Sequence, residues 1–321
     1  MPNNPRNEVN SNRPSADDYL PGISLVIPAY NEEMAIGDIV RRAMVTLAQC
    51  VSNWEVIVVS DCSTDKTSEV AAIAGAVVLE HPMNKGYGTS LKTGIVNAMY
   101  DTIAIIDADG SYSPEDLLLL VPLSARFDMV VGQRIGKHYY GGPFKYLGRR
   151  LQLFLVEFAT GAKVPDVNSG LRVFPRDVSL RYFDTLCDGF SFTTSITLSM
   201  MLGGYTISFI PVSYAARIGK SHIHYFRDTV RSLQIIALAI LKYNPMKLFL
   251  LLGLVTLVII GISGVFALVA VLSKATQLSM LLGIVSILCA LSALILIGAG
   301  LLASLIVVKL RNNPSSPMRY N

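Results

Sequence analysis

The sequence predicts an α/β fold in which a mostly parallel sheet is followed by amphipathic helices and a C-terminal pair of transmembrane helices. Short β-branched runs alternate with helical patterns over the first two thirds of the 321 residues. Two segments then mix large apolar residues with Arg and Lys. The last quarter of the chain is almost free of charged residues, although Asp, Glu, Lys and Arg make up 16% of the whole.

These changes in composition predict five segments along the chain. They are a disordered N-terminal tail (1–20), an α/β domain (21–222), a juxtamembrane helix (223–246), two transmembrane helices (247–309) and a cytoplasmic tail (310–321). The N-terminal tail is polar, rich in Asn and Pro, and has no apolar core, so we do not expect a signal peptide.

Five continuous β-branched runs predict strands that are buried on both faces of the sheet. They are ISLVIPAY (23–30), WEVIVVSD (54–61), AVVLEH (76–81), TIAIIDAD (102–109) and MVVGQR (129–134). Helical patterns lie near 33–49, 65–75, 86–99 and 114–124. The segments 144–158 and 224–243 are amphipathic and predict interfacial helices beside a bilayer, with ordinary surface helices as the alternative.

The C-terminal apolar run predicts a membrane hairpin. Between Leu248 and Val308 the only charged residue is Lys274, which divides the run into two stretches. Each stretch is long enough to cross a hydrocarbon core of about 30 Å. Lys and Arg cluster on both outer flanks, so the positive-inside rule places the α/β domain and both termini in the cytoplasm. With a net charge of only +4, we expect lipid headgroups and not nucleic acid as the basic residues' partners.

Polar residues follow several predicted strands. Tyr30 and Glu32 come after the first strand, Asp61 ends the second, and Asp107 and Asp109 end the fourth. In open α/β sheets ligands bind at the carboxyl ends of the strands, so we expect these five side chains to line one cleft.

The most informative pattern is the pair of carboxylates at Asp107 and Asp109. Two acids at i and i+2 can share one divalent cation, Mg²⁺ or Mn²⁺, whose other ligands would be water and substrate phosphate. The alternative is ordinary turn chemistry. An aromatic ring at Tyr30 and nearby acids suit a nucleoside, and Gly86 and Gly88 lie at the start of a helix whose backbone N–H groups favour phosphate.

Seven motifs succeed one another along the chain. They are PAYNE (28–32), SDCSTDKT (60–67), NKGYG (84–88), DADGSYSPEDL (107–117), VVGQR (130–134), DVNSGLRVF (166–174) and RIGKSH (217–222). In this order they resemble family-2 glycosyltransferases of GT-A fold, in the branch of dolichol-phosphate-mannose synthase and the polyprenyl-phosphate glycosyltransferases. The resemblance covers about residues 23–242 and, in architecture, the hairpin.

The resemblance implies inverting transfer of a hexose from GDP-mannose or UDP-glucose to dolichyl or undecaprenyl phosphate. The reaction would take place at the cytoplasmic face of the cell membrane, or of the ER membrane in a eukaryote. Matching positions imply nucleotide-sugar binding by Pro28, Tyr30, Glu32, Asp61, Lys85, Gly86 and Asp107, metal binding by Asp107 and Asp109, and lipid-phosphate binding by Arg134, Arg149, Arg150 and Lys220. Asp107, Asp109 and Arg134 would form the catalytic set.

Ser60 stands where family members often have a first acid, so the base that is bound stays open. The resemblance gives no role to Asp166, Ser169 or His222.

Other functions remain as alternatives. A sugar-phosphate nucleotidyltransferase would use similar acids but would not need a membrane hairpin. A processive polysaccharide synthase would carry a Gln-x-x-Arg-Trp motif, which this chain lacks because Trp54 is its only tryptophan. A membrane-anchored module could bind a nucleotide-sugar without turnover, and N-acetylhexosamine is an alternative donor sugar. The sequence leaves open whether the chain forms a homo-oligomer.

Overall fold

A computed structural model describes residues 22–136, 143–219, 225–273 and 276–312 of the protein. The chain separates into two compact units, the first ending at Ile235 and the second beginning at Ile236. The predicted boundaries after residues 222 and 246 lie on either side of this division and stay predictions. The predicted tail (1–20), Lys220, His222 and Lys274 lie outside the described residues.

Seven strands of the described chain form one sheet, in the order β3-β2-β1-β4-β6-β5-β7. The strands are β1 (Ile23–Ala29), β2 (Trp54–Ser60), β3 (Val77–Glu80), β4 (Thr102–Ile105), β5 (Met129–Ile135), β6 (Arg172–Pro175) and β7 (Ile207–Ser213). Strand β6 pairs antiparallel with both β4 and β5, and the other pairs are parallel. The predicted mostly parallel sheet is confirmed, with β6 and β7 added to the five predicted runs.

The described helices follow most of the predicted helical patterns. They are α1 (Ile36–Cys50), α2 (Thr67–Ile73), α3 (Tyr87–Asn97), α4 (Leu117–Leu120), α5 (Pro143–Thr160), α6 (Arg176–Arg181), α7 (Phe192–Leu202), α8 (Tyr225–Tyr243), α9 (Pro245–Leu272) and α10 (Thr276–Asn312). The helix expected over 114–124 is broken: 3₁₀ turns at Pro114–Asp116 and Pro122–Ala125 flank the single turn of α4. Pro122 lacks the amide hydrogen that a continuous helix needs.

The sheet is covered on both faces. Along β1 the side chains of Leu25 and Ile27 belong to one apolar core and that of Val26 to another. The alternation of side chains along a strand produces this division, and it explains why the strand has no polar face. Such burial leaves the loops at the strand ends as the exposed positions where chemistry can occur.

Strand direction brings the motifs to one edge of the sheet. Because β6 alone is reversed, the carboxyl ends of β1, β2, β4, β5 and β7 meet at the same edge as the residues that precede β6. The segments after β1, β2 and β4, the end of β5, and the turn before β6 all carry motifs identified from the sequence.

Helix α5 has two different faces. Its buried residues are spaced at i, i+4 and i+7, and they are Gln152, Val156 and Ala159. Exposed apolar residues have the same spacing, and they are Leu147, Leu151 and Phe154. The predicted amphipathic helix therefore packs by one face and leaves an apolar stripe uncovered.

The second unit contains two helices that are long and apolar enough to cross a membrane, α9 and most of α10. The hydroxyl oxygens of Ser263 and Ser286 lie 2.7 Å apart and link the two helices. Gly300 lies against Phe249, where any larger residue would meet the aromatic side chain. Two apolar helices in contact are what the predicted hairpin requires.

Candidate active site

Arg217 contacts acids from two loops of the candidate site. Glu32 follows β1, and Asp107 and Asp109 follow β4. The Arg217 Nη2 atom donates to Glu32 Oε1 at 2.8 Å, and its Nε atom lies 3.7 Å from Asp109 Oδ2. The structure thus brings Glu32 and Asp109 together and adds a cation from the segment after β7. The RIGKSH motif contains Arg217, but no sequence pattern indicates that this arginine contacts Glu32 and Asp109.

The Asp109 turn is built by its own hydrogen bonds. Asp109 Oδ1 accepts from the amide of Ser111 at 3.0 Å and from its hydroxyl at 2.5 Å. Gly110 has a φ of +73°, a conformation that favours glycine. The Ile218 amide donates to the Asp109 carbonyl oxygen at 2.8 Å, so the segment after β7 lies on this turn. The turn uses only Oδ1 of Asp109, and Oδ2 lies towards Arg217. The same carboxylate can therefore form the turn and still offer an oxygen to a ligand.

Two other motifs hold Asp107 in place. The hydroxyl of Tyr87, from NKGYG, donates to Asp107 Oδ1 at 2.8 Å. Gly170, from DVNSG, leaves room for this carboxylate, since a Cβ atom there would lie 2.2 Å from Asp107 Oδ2. The Tyr87 ring in turn stacks on Phe190 with centroids 5.5 Å apart. Asp107 is therefore a fixed, half-buried acid whose position depends on the segments that carry Tyr87 and Gly170.

Two acids of this cluster hold their protons more tightly than free carboxyl groups. Burial raises the pKa of Glu32 to about 7, with Asp109 and Asp107 adding to the shift and Arg217 opposing it. Burial and the charge of Asp109 raise the pKa of Asp107 to about 6. Burial is the largest cause of both shifts, and a further cation beside the acids would favour their ionised forms.

The donor atoms fit a hard divalent cation. Asp107 and Asp109 offer only oxygen ligands, which Mg²⁺ and Mn²⁺ prefer. Among the described residues no group of three His, Cys, Asp or Glu side chains is arranged as a complete metal site. A cation would therefore take Asp107 and Asp109 from the protein and its remaining ligands from substrate phosphate and water. The buried Arg217 Nε atom has no hydrogen-bond partner in the described structure, so one donor of the cluster remains available to a ligand.

Asp61 is engaged by the protein in a way that the sequence did not suggest. It is 4% exposed, and its Oδ1 atom lies 2.7 Å from His81 Nδ1. The amides of Lys85 and Gly86 donate to its two oxygens at 2.8 and 2.7 Å. The Gly86 amide, which we expected to face phosphate, therefore donates to a carboxylate of the protein instead. Asp61 therefore holds the NKGYG turn through two of its backbone amides. Its other partner, His81, lies 20 residues away along the chain and belongs to none of the motifs.

The remaining nucleoside candidates occupy different environments. Pro28 is buried within β1, whereas Tyr30 is half-buried directly after that strand. The next residue, Asn31, joins the first two loops, because its Oδ1 atom accepts from the Thr64 amide at 2.8 Å. Tyr30 therefore lies where the loops after β1 and β2 are hydrogen-bonded to each other. The side chain of Lys85, the residue before Gly86, is exposed.

Arg134, at the end of β5, is paired with Asp166. The guanidinium Nε and Nη2 atoms donate to Asp166 Oδ2 and Oδ1, each at 2.8 Å, and the Arg134 amide donates to Oδ2 at 3.1 Å. The guanidinium carbon lies 5.3 Å from the centre of the Tyr214 ring. Asp166 opens the DVNSG motif, which is the sequence signal that it belongs to the site.

The other predicted phosphate ligands lie on or beyond α5. Arg149 is half-buried and Arg150 is exposed on this helix, and Lys220 is outside the described residues. Helix α5 is attached to the DVNSG turn, because Asn168 Nδ2 donates to Gln152 Oε1 at 2.8 Å.

Residues 24–183 match the family described as Glycosyl transferase family 2. The chain belongs to this family. The low-salt glycan biosynthesis hexosyltransferase Agl6 of Haloferax volcanii is 33% identical over 221 residues, which are 67% of this chain and 53% of that protein. The dolichyl-phosphate hexose transferase of the same organism is 27% identical over 206 residues, which are 64% of this chain and 87% of that protein. This chain thus spans about half the length of Agl6.

A solved structure confirms the fold. Glucosyl-3-phosphoglycerate synthase from Mycobacterium tuberculosis, in complex with Mn²⁺, UDP and glucosyl-3-phosphoglycerate, superposes with a TM-score of 0.54. It is 21% identical, and the match covers 68% of this chain and 78% of that one. The predicted GT-A architecture of this family 2 glycosyltransferase is therefore confirmed, while the part matched to the family ends before Arg217.

Proposed function

We propose that this chain transfers a hexose from a nucleotide-sugar to a polyprenyl phosphate. The observation that carries the proposal is the separation of charge at one sheet edge: an acid-rich cluster lies after β1 and β4, and an oriented arginine lies at the end of β5. Relatives named as hexosyltransferase and as dolichyl-phosphate hexose transferase support this class of reaction.

The donor occupies the acid-rich side. A divalent cation on Asp107 and Asp109 would neutralise the leaving diphosphate. Arg217, which already contacts Glu32 and Asp109, supplies a second positive charge from the protein. Tyr30 stacks on the base, and the Asp61 carboxylate acts indirectly by holding the Lys85–Gly86 turn. GDP-mannose and UDP-glucose both fit this arrangement as donors.

The acceptor needs orientation more than activation. The second pKa of a phosphate monoester is about 6, so a lipid phosphate is largely dianionic at pH 7 and needs no protein base. Its oxygen attacks the anomeric carbon as the bond to the nucleoside diphosphate breaks, which inverts the configuration. Arg134 holds the acceptor phosphate for this attack, with Arg149, Arg150 and Lys220 as further cations. The protein's contribution is to position two anions and to exclude water.

The membrane supplies the lipid. Helices α9 and α10 anchor the chain, and the exposed apolar stripe of α5 lies in the headgroup region of the cytoplasmic face. The basic flanks of the hairpin are the basis for this orientation.

The experiment is an acceptor and donor screen on the full-length protein in detergent. Purified protein is incubated with GDP-mannose, UDP-glucose or UDP-N-acetylglucosamine, with a short polyprenyl phosphate and Mg²⁺ or Mn²⁺, and the products are identified by mass spectrometry. We expect a hexosyl phosphate lipid with one donor, and none with the polyprenyl alcohol or with EDTA. Nucleotide-sugar binding without any glycolipid would instead support the binding-module alternative, and an N-acetylhexosamine product would reassign the sugar.

A further inference from the structure

Asp166 contacts Arg134, on the side of the site that the proposed function assigns to the acceptor, and the resemblance implies no role for it. It is 1% exposed and lies in the turn before β6, at the sheet edge where β5 ends. Its carboxylate accepts two hydrogen bonds from the Arg134 guanidinium and one from the Arg134 amide. It also accepts one from the Asn168 amide, at 3.1 Å.

These four bonds occupy the whole carboxylate. An ionised carboxylate has about four acceptor positions, and each oxygen of Asp166 accepts two bonds. Burial alone would raise the pKa of Asp166, but the charge and hydrogen bonds of Arg134 outweigh that effect and lower it. Asp166 is thus a poor general base and a poor metal ligand, and its contacts lead to Arg134.

The guanidinium is also restrained on its face. Tyr214 lies over it, and the Tyr214 ring meets Tyr112 edge-on with centroids 5.2 Å apart. Tyr112 is fixed in turn, because its hydroxyl oxygen accepts from the Gly170 amide at 2.8 Å. A two-nitrogen fork to Asp166 and an aromatic face fix the plane of a guanidinium, which a single contact would leave free to rotate.

We propose that Asp166 is a positioning residue that sets the orientation of the Arg134 guanidinium for the acceptor phosphate. This inference rests on the proposed function, in which Arg134 contacts the lipid phosphate. It differs from a purely structural role in one respect: loss of the Asp166 charge changes acceptor use through Arg134 and leaves donor use intact.

The test is a double-mutant cycle with Arg134→Gln, Asp166→Asn and the double variant in the full-length protein. Steady-state kinetics are measured against a short polyprenyl phosphate and against the nucleotide-sugar that the wild type uses. We expect each single variant to raise the acceptor KM by roughly tenfold or more, because an oriented bond to a charged group is lost. The donor KM should stay within about twofold, and the double variant should be no worse than Arg134→Gln.

Two further variants separate orientation from folding and from charge. Arg134→Lys keeps a positive charge beside Asp166 but lacks the two-nitrogen fork, so it should also raise the acceptor KM without leaving a buried acid unpaired. Thr197→Val is the destabilised control. It removes the hydroxyl that the buried Arg172 contacts at 2.6 Å, and it should lower the thermal midpoint with an unchanged acceptor KM.

The outcomes distinguish the two levels of the proposal. A wild-type acceptor KM in Arg134→Lys, or independent and multiplying losses in the double variant, would overturn the positioning role alone. An unchanged acceptor KM in Arg134→Gln would overturn the phosphate-binding role of Arg134 and the positioning role with it. Absence of lipid-dependent transfer in the wild type would overturn the proposed function itself.

Discussion

The two sides of the candidate site differ in the balance between acidic and basic side chains. On the side that we assign to the donor, Arg217 contacts Glu32 and Asp109, and burial raises the pKa of Glu32 and of Asp107. On the side that we assign to the acceptor, Asp166 pairs with Arg134, whose charge and hydrogen bonds lower the pKa of Asp166. An acid cluster with too little positive charge is suited to accept a cation and its bound phosphates. A balanced, fully bonded pair is suited to hold one guanidinium in a fixed orientation.

The strongest way to break this contrast is to remove an acid from the donor side. We predict that Asp109→Ala lowers the transfer rate by about 1,000-fold or more, since several kcal/mol of charge stabilisation at the diphosphate would be lost. Calorimetric titration with Mg²⁺ and nucleoside diphosphate should show the loss directly. Asp38→Ala, which removes an exposed acid on α1, is the matched control and should keep the wild-type rate. Near-normal turnover of Asp109→Ala at saturating metal would contradict the metal assignment.

The acceptor side should respond differently. We predict that Arg134→Ala raises the acceptor KM by roughly 10- to 100-fold, the value of a charge-assisted bond of about 1.5–3 kcal/mol. Donor affinity, measured by equilibrium binding of the nucleotide-sugar, should change little. If donor affinity falls while acceptor KM is constant, Arg134 belongs to the donor side and the contrast is wrong. Because the variant leaves Asp166 buried without its partner, its thermal midpoint must be measured in parallel.

Much of the fold was predictable because it depends on local pattern. Continuous β-branched runs identified β1 to β5. The expected burial on both faces holds along β1, but not for β3, which lies at the sheet edge with Val77 and Glu80 exposed. Strand β7 did not fit this pattern because it contains Pro211 and lies at the sheet edge, where proline is tolerated. Strand β6 is four residues long and includes Arg172, whose charge makes the segment look exposed although it is fully buried.

The sequence indicated the candidate site where one strand end carries its residues, and not where two distant segments meet. The spacing of Asp107 and Asp109 predicts a metal site only together with the neighbouring motifs, because two acids before a turn are also ordinary turn chemistry. The contacts of Tyr87 with Asp107 and of His81 with Asp61 each join residues 20 apart, and they depend on how turns pack over the sheet. Arg217 and Glu32 are 185 residues apart, so only the strand order brings them together. Motif membership marked Tyr87, Glu32 and Arg217 as candidates, but not His81, and it did not indicate their partners.

A more conservative substitution tests how the Asp107 carboxylate is held on the donor side. Tyr87→Phe keeps the ring stacked on Phe190 but removes the hydrogen bond to the half-buried Asp107 carboxylate. We predict a roughly tenfold loss of rate, in line with an unsatisfied buried acceptor costing about 1–3 kcal/mol. The bond also lowers the pKa of Asp107, so this pKa should rise further above about 6 in the metal-free variant. Carboxyl NMR titration measures the shift, and an unchanged value would show that Tyr87 does not control Asp107.

The smallest effect is expected from removing the hairpin, because both sides of the site lie in the first unit, which ends at Ile235. Deletion of residues 246–321 leaves the described acids, Arg217, Arg134 and Asp166 in place. We therefore predict that the truncated protein binds the nucleotide-sugar with unchanged affinity and still glycosylates a short, detergent-soluble polyprenyl phosphate. The rate should fall modestly, since enzyme and lipid no longer share a surface. Ile236 and Ile240 of α8 are buried in the full chain, so a thermal unfolding curve must first show that the truncated protein is folded. A folded truncation that binds donor normally but transfers nothing at any acceptor concentration would mean that the membrane helices form part of the acceptor site. The contrast between the two sides would then have to include the second unit.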